Sequence, residues 1–438
     1  MGLKKLLTQS ITWRGFYFFS VLLVNIFLSR YLQAAQTGLL YFVTVIFSFM
    51  QVALGLGGEA GIIYFASANV IERNKLITVG ATWSLIAGFI MIGFVYVYFL
   101  FDQQPEQFSY KWYCAFGFLY VFGQLLTNFC VAIYYTREKY FLPNFLLAAV
   151  NILFVLMIPN KSAAKSTTQI EWVTLFYFAT FLIGGLCVFF TYIFQYKNES
   201  AFGFPDKIQF KKFIRYAATA FGANLLFFMV YKIDYFFVNL SPASTAADLG
   251  NYIQVSKLGQ LFLMVPQIIA SVVFPKTATG GVDRMKINNA IIVMARLFSQ
   301  LYLIAFIIIA LIGNKLFVTV FGESFNKMQV PMLIIIPGIF TLSVSALLSA
   351  YFSGKGNVKV NLYSAIIALS VMLLGDYFFV LPYGIIAAAI VSTLSYLIDL
   401  IYLLFQFYKD YSISWVEFVR WERKDYKILF NLLKRDAD

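Results

Sequence analysis

The sequence predicts an all-α membrane protein with about twelve transmembrane helices, arranged as two bundles of six. Composition is the first reason: of the 438 residues 61% are hydrophobic and only 12% are charged, whereas a soluble domain carries about 25% charged residues. The second reason is that the apolar residues form runs of about 20, the length that an α-helix needs to cross a bilayer. Water is therefore not the main solvent of this chain.

Twelve apolar runs are candidate spans, separated by short polar breaks such as Glu72-Arg73-Asn74-Lys75. They cover residues 11–31, 38–66, 76–101, 112–136, 141–159, 172–196, 212–240, 250–275, 288–312, 328–352, 359–381 and 383–408. Because every connection is short, no soluble catalytic domain is inserted between them. We therefore expect the protein not to be an enzyme.

The basic residues predict the orientation of the spans. With the N-terminus inside, 24 of the 33 Lys and Arg residues fall at cytoplasmic ends or in the C-terminal tail, and 6 fall outside. Cytoplasmic loops of membrane proteins are enriched in Lys and Arg. The sequence thus predicts a multi-pass protein of the cell (inner) membrane with both termini cytoplasmic, and the net charge of +13 reflects this bias rather than a nucleic-acid partner.

Metal and cofactor chemistry finds no support in the sequence. There is no histidine, which removes the commonest metal ligand and general base. The three cysteines, Cys114, Cys130 and Cys187, lie in apolar runs without paired spacing, as small buried hydrophobic residues do. We expect no metal site and no cofactor.

Two short similarities suggest that the helices form a repeat. Residues 34–38 read AAQTG and residues 246–250 read AADLG, at an offset of 212. Near the same offset, Tyr134-Tyr135 precedes Asn144 as Tyr351-Phe352 precedes Asn361. Transporters are often built from such repeats, with the substrate path between the halves. The predicted domains, related by a pseudo-two-fold axis, are an N-terminal bundle over 1–196, a cytoplasmic linker over 197–211, a C-terminal bundle over 212–408 and an amphipathic cytoplasmic tail helix over 409–438.

Basic residues within the spans are candidate ligands for an anionic substrate, because charges in a membrane are costly and commonly functional. Lys232 and Lys257 fall at one depth on consecutive spans, Arg296 lies in span nine, and Arg14 lies near the inner end of span one. Two alternatives stay open. Lys257 could instead neutralise Asp234 and join two helices, and Arg14 could extend to the membrane surface.

Acidic residues within the spans are candidates for binding a coupling proton or Na⁺. These are Asp234, Glu59 and Asp399, while Asp376 lies near the outer end of span eleven. Each could equally be a structural acid, and Arg296 and Asp399 share the inner third of the membrane and could form an ion pair.

Glycine and proline residues indicate close packing and bending. The segment Gly55–Gly61 resembles a nucleotide-binding loop, but no strand precedes it, so close helix packing at Gly57 and Gly61 explains it better. Proline removes a backbone hydrogen bond and bends a helix. Pro266 in span eight and Pro337-Gly338 in span ten are therefore candidate gating positions.

Several segments resemble the Wzx-like polysaccharide and O-antigen flippases of the multidrug/oligosaccharidyl-lipid/polysaccharide (MOP) exporter superfamily. The resemblance extends over residues of about 5–408, from the opening span and the Gly-aromatic second span onward. Its other motifs are Ile233-Asp234-Tyr235, Leu249-Gly250-Asn251-Tyr252, Pro266 and Pro275, Ile336-Pro337-Gly338, Ser353-Gly354-Lys355-Gly356, and Pro382-Tyr383-Gly384 followed by Ile385-Ile386 and three alanines.

The resemblance implies two six-helix bundles around a central cavity, as in the MATE transporters, and outward movement of an undecaprenyl-pyrophosphate oligosaccharide by ion-coupled alternating access. Its biological setting would be the synthesis of a surface polysaccharide such as lipopolysaccharide. Membrane lipids, the lipid-linked oligosaccharide and H⁺ or Na⁺ are the implied partners. The sequence departs from the family in having few cavity arginines, which leaves Lys232 and Lys257 as the main basic candidates. The alternative is an ion-coupled multidrug or cation antiporter of the same superfamily.

Overall fold

A computed structural model describes residues 3–101, 108–159, 167–267, 269–270, 284–410 and 421–422. All regular secondary structure in these ranges is helical, which confirms the predicted all-α class. The predicted tail helix lies outside the described ranges except for residues 409–410 and 421–422.

Seven helices form the first part of the chain. They are α1 (Leu3–Gly55), α2 (Gly58–Ser67), α3 (Arg73–Phe101), α4 (Tyr110–Thr136), α5 (Phe141–Met157), α6 (Thr167–Tyr196) and α7 (Lys207–Lys232).

The remaining described residues form α8 (Asp234–Leu240), α9 (Ala246–Phe262), α10 (Arg284–Phe321), a 3₁₀ turn (Glu323–Phe325), α11 (Gln329–Gly354), α12 (Val358–Gly375), a π-helical turn (Asp376–Val380) and α13 (Leu381–Asp410).

Eight helical stretches of the described chain are long and apolar enough to cross a membrane, by length and composition. Two of them, Thr8–Gly55 and Lys359–Lys409, contain 48 and 51 residues. At 1.5 Å per residue each is long enough for two crossings of a core about 30 Å thick. The chain is a multi-pass membrane protein.

The chain divides into two compact units. Unit 1 consists essentially of Lys5–Leu32 and Leu40–Phe228, and unit 2 of Gln33–Leu39 and the chain from Met229 onward. The segment 197–211, predicted as a linker, belongs to unit 1, and α7 begins within it at Lys207. The predicted boundary between two bundles at this segment stays a prediction.

Helix α1 bends sharply at Gln33, whose backbone has φ 66° and ψ 169°. In unit 2, the amide of Ala34 donates to the Ser324 hydroxyl at 2.9 Å, which satisfies a donor that the bend releases. In unit 1, the Tyr41 hydroxyl donates to Asn25 Oδ1 at 2.7 Å and so joins the two arms of α1. One continuous helical segment thereby supplies the first two predicted spans.

The second predicted span is broken at Leu56 and Gly57, which both have positive φ. Gly57 lies so close to the backbone of Ala217 on α7 that a Cβ atom there would overlap it. The Trp83 indole donates to the carbonyl of Leu54 at 2.6 Å, which satisfies one of the acceptors left at the end of α1. The expectation of a continuous span with close packing at Gly57 was therefore incomplete, because this glycine also permits the chain reversal.

The two similar segments 34–38 and 246–250 pack against each other within unit 2. A Cβ atom on Gly38 would lie 2.6 Å from the carbonyl oxygen of Ala246 and 2.6 Å from the amide nitrogen of Gly250. Small residues permit this backbone-to-backbone approach. The similarity that suggested a repeat thus also has a packing reason.

The start of α9 beside this crossing is held by Asp248. Thr245 and Asp248 form a capping box, and Lys327 forms an ion pair with Asp248 at 2.7 Å. Partial burial alone would raise the pKa of Asp248. Hydrogen bonds from Lys327 and from Thr245 outweigh this effect and hold the pKa below its ordinary value of 3.8.

The ends of α3, α4 and α6 in unit 1 are joined by a polar cluster. Arg137 forms a bidentate ion pair with Glu199, with contacts of 3.0 and 2.6 Å, and its guanidinium lies 3.9 Å from the ring centre of Tyr196. Asn74 donates to the carbonyls of Tyr196 and Ser200. These contacts fix the turn after α4, in the unit that carries Arg14 and Glu59.

Candidate functional site

In unit 1 the structure brings Arg14 and Glu59 together. Glu59 lies in the first turn of α2, directly after the break at Gly57, and interacts electrostatically with Arg14. The Glu59 side chain is exposed at the protein surface. The Arg14 guanidinium lies 5.5 Å from the ring centre of Tyr135, an arrangement suited to a cation–π contact.

Tyr135 is itself held in place. Its hydroxyl donates to Asn144 Oδ1 at 3.0 Å, and Asn144 Nδ2 donates to the carbonyl of Tyr140 at 2.6 Å. Asn144 is buried. Arg14 therefore has an aromatic and an acidic protein neighbour, and the alternative of extension to the membrane surface stays open.

In unit 2, Asp234 is a buried carboxylate with an incomplete set of donors. The Tyr252 hydroxyl donates to Asp234 Oδ2 at 2.5 Å and the Ser392 hydroxyl does so at 3.1 Å. The other oxygen, Oδ1, accepts no hydrogen bond within the described ranges, although the residue is only 1% exposed. Such a group is costly unless a positive charge or a proton accompanies it.

Asp376 supplies a second carboxylate at the same place. It is the first residue of the π-helical turn, is fully buried, and interacts electrostatically with Asp234. Neither of its oxygens accepts a hydrogen bond from any described residue. Two like charges in a low-dielectric interior repel each other strongly, so the pair suits a bound proton or small cation. Sequence reasoning missed this partnership, because only the fold brings residues 234 and 376 together.

Lys232 lies beside this acid pair and is held by polar contacts. Its ammonium donates to Gln260 Oε1 at 3.1 Å and to the Tyr235 hydroxyl at 3.4 Å, 5.0 Å from the centre of that ring. The Tyr235 hydroxyl in turn donates to Ser256 at 2.5 Å. Lys232 interacts electrostatically with both Asp234 and Lys257.

The two lysines are thus neighbours, and both are half-buried. Lys232 is a base beside the Asp234 carboxylate, and the alternative in which Lys257 neutralises Asp234 stays a prediction.

Within the described ranges, Arg296 and Asp399 each have a partner other than one another. Arg296, on α10 and 5% exposed, forms its ion pair with Glu422 at 3.6 Å. Asp399, on α13, accepts a hydrogen bond from Ser364 on α12.

The candidate gating residues occupy two different settings. Helix α9 ends at Phe262, and a short helical turn over residues 264–267 contains the buried Pro266. By contrast, α11 continues through Pro337 without interruption. The Thr393 hydroxyl donates to the carbonyl of Ile334 at 2.8 Å, close to the position where proline removes a donor. A Cβ atom on Gly338 would lie 3.0 Å from the Cα of Thr393, so α11 and α13 are closely packed there.

Comparison with solved structures identifies the fold. The chain superposes on a lipid II flippase MurJ in an inward closed conformation with a TM-score of 0.69 and 17% identity, covering 98% of this chain and 94% of that one. A single-residue mutant of the Vibrio cholerae MATE transporter VcmN gives a TM-score of 0.64 at 14% identity, covering 95% and 98%. A MOP superfamily transporter from Pyrococcus furiosus gives 0.64 at 15%, covering 92% and 95%.

The chain has the fold of the MOP transporters. The predicted MATE-like fold is therefore confirmed, and these neighbours are membrane transporters rather than enzymes. No family model matches the chain, and no curated protein does.

Proposed function

We propose that this protein is a flippase that moves an anionic lipid-linked molecule, an undecaprenyl-pyrophosphate oligosaccharide, across the cell membrane for surface polysaccharide synthesis. The observation that carries the proposal is the pair of neighbouring, half-buried lysines, Lys232 and Lys257, within an apolar helical bundle. A lipid II flippase with the same fold supports it.

Two neighbouring ammonium groups repel each other, and an anion between them would remove the repulsion. At an effective dielectric constant of about 20, a charge pair at 4 Å interacts by about 4 kcal/mol, against about 1 kcal/mol in water. Gln260 and Tyr235 bind the Lys232 ammonium through uncharged oxygen atoms, and the Asp234 carboxylate beside it offsets part of its positive charge. Arg14 in unit 1 is a further candidate for the headgroup. Arg296 is a weaker one, because Glu422 already neutralises it.

We further propose that Asp234, together with Asp376, binds the coupling H⁺ or Na⁺ in unit 2. Their unpaired oxygens and electrostatic interaction support this assignment. Glu59 and Asp399 are additional candidates for ion coupling. Pro266 and the Pro337-Gly338 pair are proposed as positions where helices bend during the transport cycle.

A cation or multidrug antiporter is the second candidate function. The accessible carboxylate of Glu59 favours it, because a cationic drug needs an anionic ligand, and multidrug transporters share the fold. This candidate predicts that removing lysine charges leaves transport intact, whereas Glu59→Gln abolishes it.

The orientation belongs to the proposal as well. We place the chain in the cell (inner) membrane with both termini cytoplasmic, without enzymatic activity and without a nucleic-acid partner. The 24-to-6 distribution of basic residues supports this orientation.

The proposal is tested by charge-removing and charge-keeping changes at the two lysines. In a strain that lacks the native gene, Lys232→Gln and Lys257→Gln should cause lipid-linked oligosaccharide to accumulate on the inner leaflet, and the arginine variants should reduce the accumulation. Lys315→Gln, at an exposed lysine of α10, is the matched control. Normal export by the Lys232→Gln/Lys257→Gln double variant at wild-type abundance would rule out the headgroup role.

A further inference from the structure

Asp399 is a buried acid in the second half of α13 that the lipid-binding proposal does not use. It is 9% exposed and accepts a hydrogen bond from Ser364 on α12. The Ser345 hydroxyl on α11 lies beside it, near enough to interact, and completes no hydrogen bond within the described ranges. Ser345 is 4% exposed, so a second buried hydroxyl group lies at this carboxylate.

One stripe of α13 connects Asp399 with the Asp234–Asp376 pair. Ser392, Tyr396 and Asp399 are spaced by four and three residues, so they share a helix face and span about 10 Å along it. At the N-terminal end of this stripe, the Ser392 hydroxyl donates to Asp234, and the Tyr396 hydroxyl lies beside Ser392. The stripe therefore begins at the acid pair and ends at Asp399.

Tyr231 on α7 is a third hydroxyl-bearing residue between the acid pair and Asp399, and we call Ser392, Tyr396 and Tyr231 the hydroxyl series. Its ring centre lies 6.2 Å from that of Tyr396, and the two hydroxyl groups interact electrostatically. Tyr231 also interacts electrostatically with Asp399. Tyr231 and Asp234 are three residues apart on the α7–α8 stretch, so both ends of the series are reached from one side of this helix pair.

From this placement we infer that Asp399 is a second proton-binding site, connected to Asp234 and Asp376 through the hydroxyl groups of Ser392, Tyr396 and Tyr231. Chains of ionisable and polar side chains in membrane proteins serve as proton relays. Each hydroxyl oxygen accepts a proton from one neighbour while it releases its own proton to the next, so it stays neutral. One proton then leaves the acid pair and one O–H bond forms on the Asp399 carboxylate.

The charged and titratable groups differ between the two ends of the series. Lys232, Tyr235 and Tyr252 surround the acid pair. Asp399 has only uncharged side chains beside it in the described ranges: Ser364, Ser345 and Tyr231. The inference deepens the proposed cation coupling, because it assigns H⁺ as a transported ion and Asp399 as the group that receives it.

Infrared difference spectroscopy of the full-length protein in lipid vesicles tests this inference without any lipid-linked substrate. A pH jump is applied, and the carbonyl band of protonated aspartic acid is followed with time in protein labelled at aspartate. Asp399→Asn should remove one band, and Asp399→Glu should restore a shifted one. Tyr231→Phe and Tyr396→Phe should slow the appearance of the Asp399 band by about tenfold, because each removes one hydroxyl from the series. Tyr302→Phe is the matched control, since Tyr302 bonds to Ser343 in the same unit, away from this series.

An Asp399→Asn spectrum identical to that of the wild type would overturn the proton site. Unchanged kinetics in both tyrosine variants would overturn the relay, and this holds even if Asp399→Asn fails to fold. Because no lipid cargo is present, a positive result here is compatible with a failed flippase test, so the two proposals fail separately.

Discussion

Replacing Gly38 by alanine tests the backbone crossing between residues 34–38 and 246–250. The added Cβ would lie 2.6 Å from two backbone atoms of α9, whereas carbon contacts are optimal at about 3.5–4.0 Å. These backbone atoms cannot move away from the added Cβ as the end of a flexible side chain can. Overpacking costs about 1–3 kcal/mol, and helical alanine is about 0.5–1 kcal/mol better than glycine. We therefore expect a net loss of about 1–2 kcal/mol.

Gly15→Ala is the matched control, because Gly15 lies on the same helix and nothing approaches its Cβ position within 4 Å. This variant should be stabilised by about 0.5–1 kcal/mol. Thermal unfolding of both variants in detergent, followed by size-exclusion chromatography of the surviving monodisperse fraction, measures the difference. Equal stabilisation of Gly38→Ala and Gly15→Ala would refute the close crossing.

Two further predictions concern single groups. Because the pKa of Asp248 is depressed in the folded protein, its ion pair with Lys327 stabilises the protein fully above a pH of about 4. This stabilisation is lost as the pH falls through the folded-state pKa of Asp248. The Asp248→Asn variant should therefore lack this acid-dependent step in thermal unfolding, and a pH profile equal to that of the wild type would contradict the prediction. Gly57→Ala should destabilise the protein by at least about 1 kcal/mol, because Gly57 has a φ of 69° and contacts the Ala217 backbone. A thermal midpoint equal to that of the wild type would show that the break in the helix at Gly57 is not required.

The apolar runs were sufficient to predict the class of fold. Hydrophobic length determines where a helix can cross a bilayer, and all-helical spans follow because lipid offers no hydrogen-bond partners. The runs could not predict where the helices break. Gln33 has a positive φ without glycine or proline, and its bend depends on Ser324, almost 300 residues later. Pro337 carries the strongest sequence signal for a bend, yet α11 continues through it.

The sequence pointed to residues of the candidate site but not to which of them interact with each other. Asp234, Lys232 and Lys257 were selected as costly intramembrane charges, and the structure places them together in unit 2. The sequence left Lys257 open as a partner of Asp234, whereas in the structure Lys232, two residues before Asp234, acts on this carboxylate. From the sequence, Asp376 was placed only near the outer end of span eleven. Its role depends on the π-helical turn that brings it to Asp234, and no local pattern signals that turn.

A reconstituted flipping assay tests the central claim most directly. Purified protein in vesicles that contain an undecaprenyl-pyrophosphate oligosaccharide with a labelled glycan is given an imposed proton gradient, and an impermeant glycosidase reports the leaflet that holds the glycan. If the protein is a flippase of this kind, the glycan moves in a gradient-dependent way, and this movement is lost in the Lys232→Gln/Lys257→Gln double variant and kept in Lys315→Gln. Movement of a cationic dye in exchange for protons, with the labelled glycan remaining in its original leaflet, would contradict it.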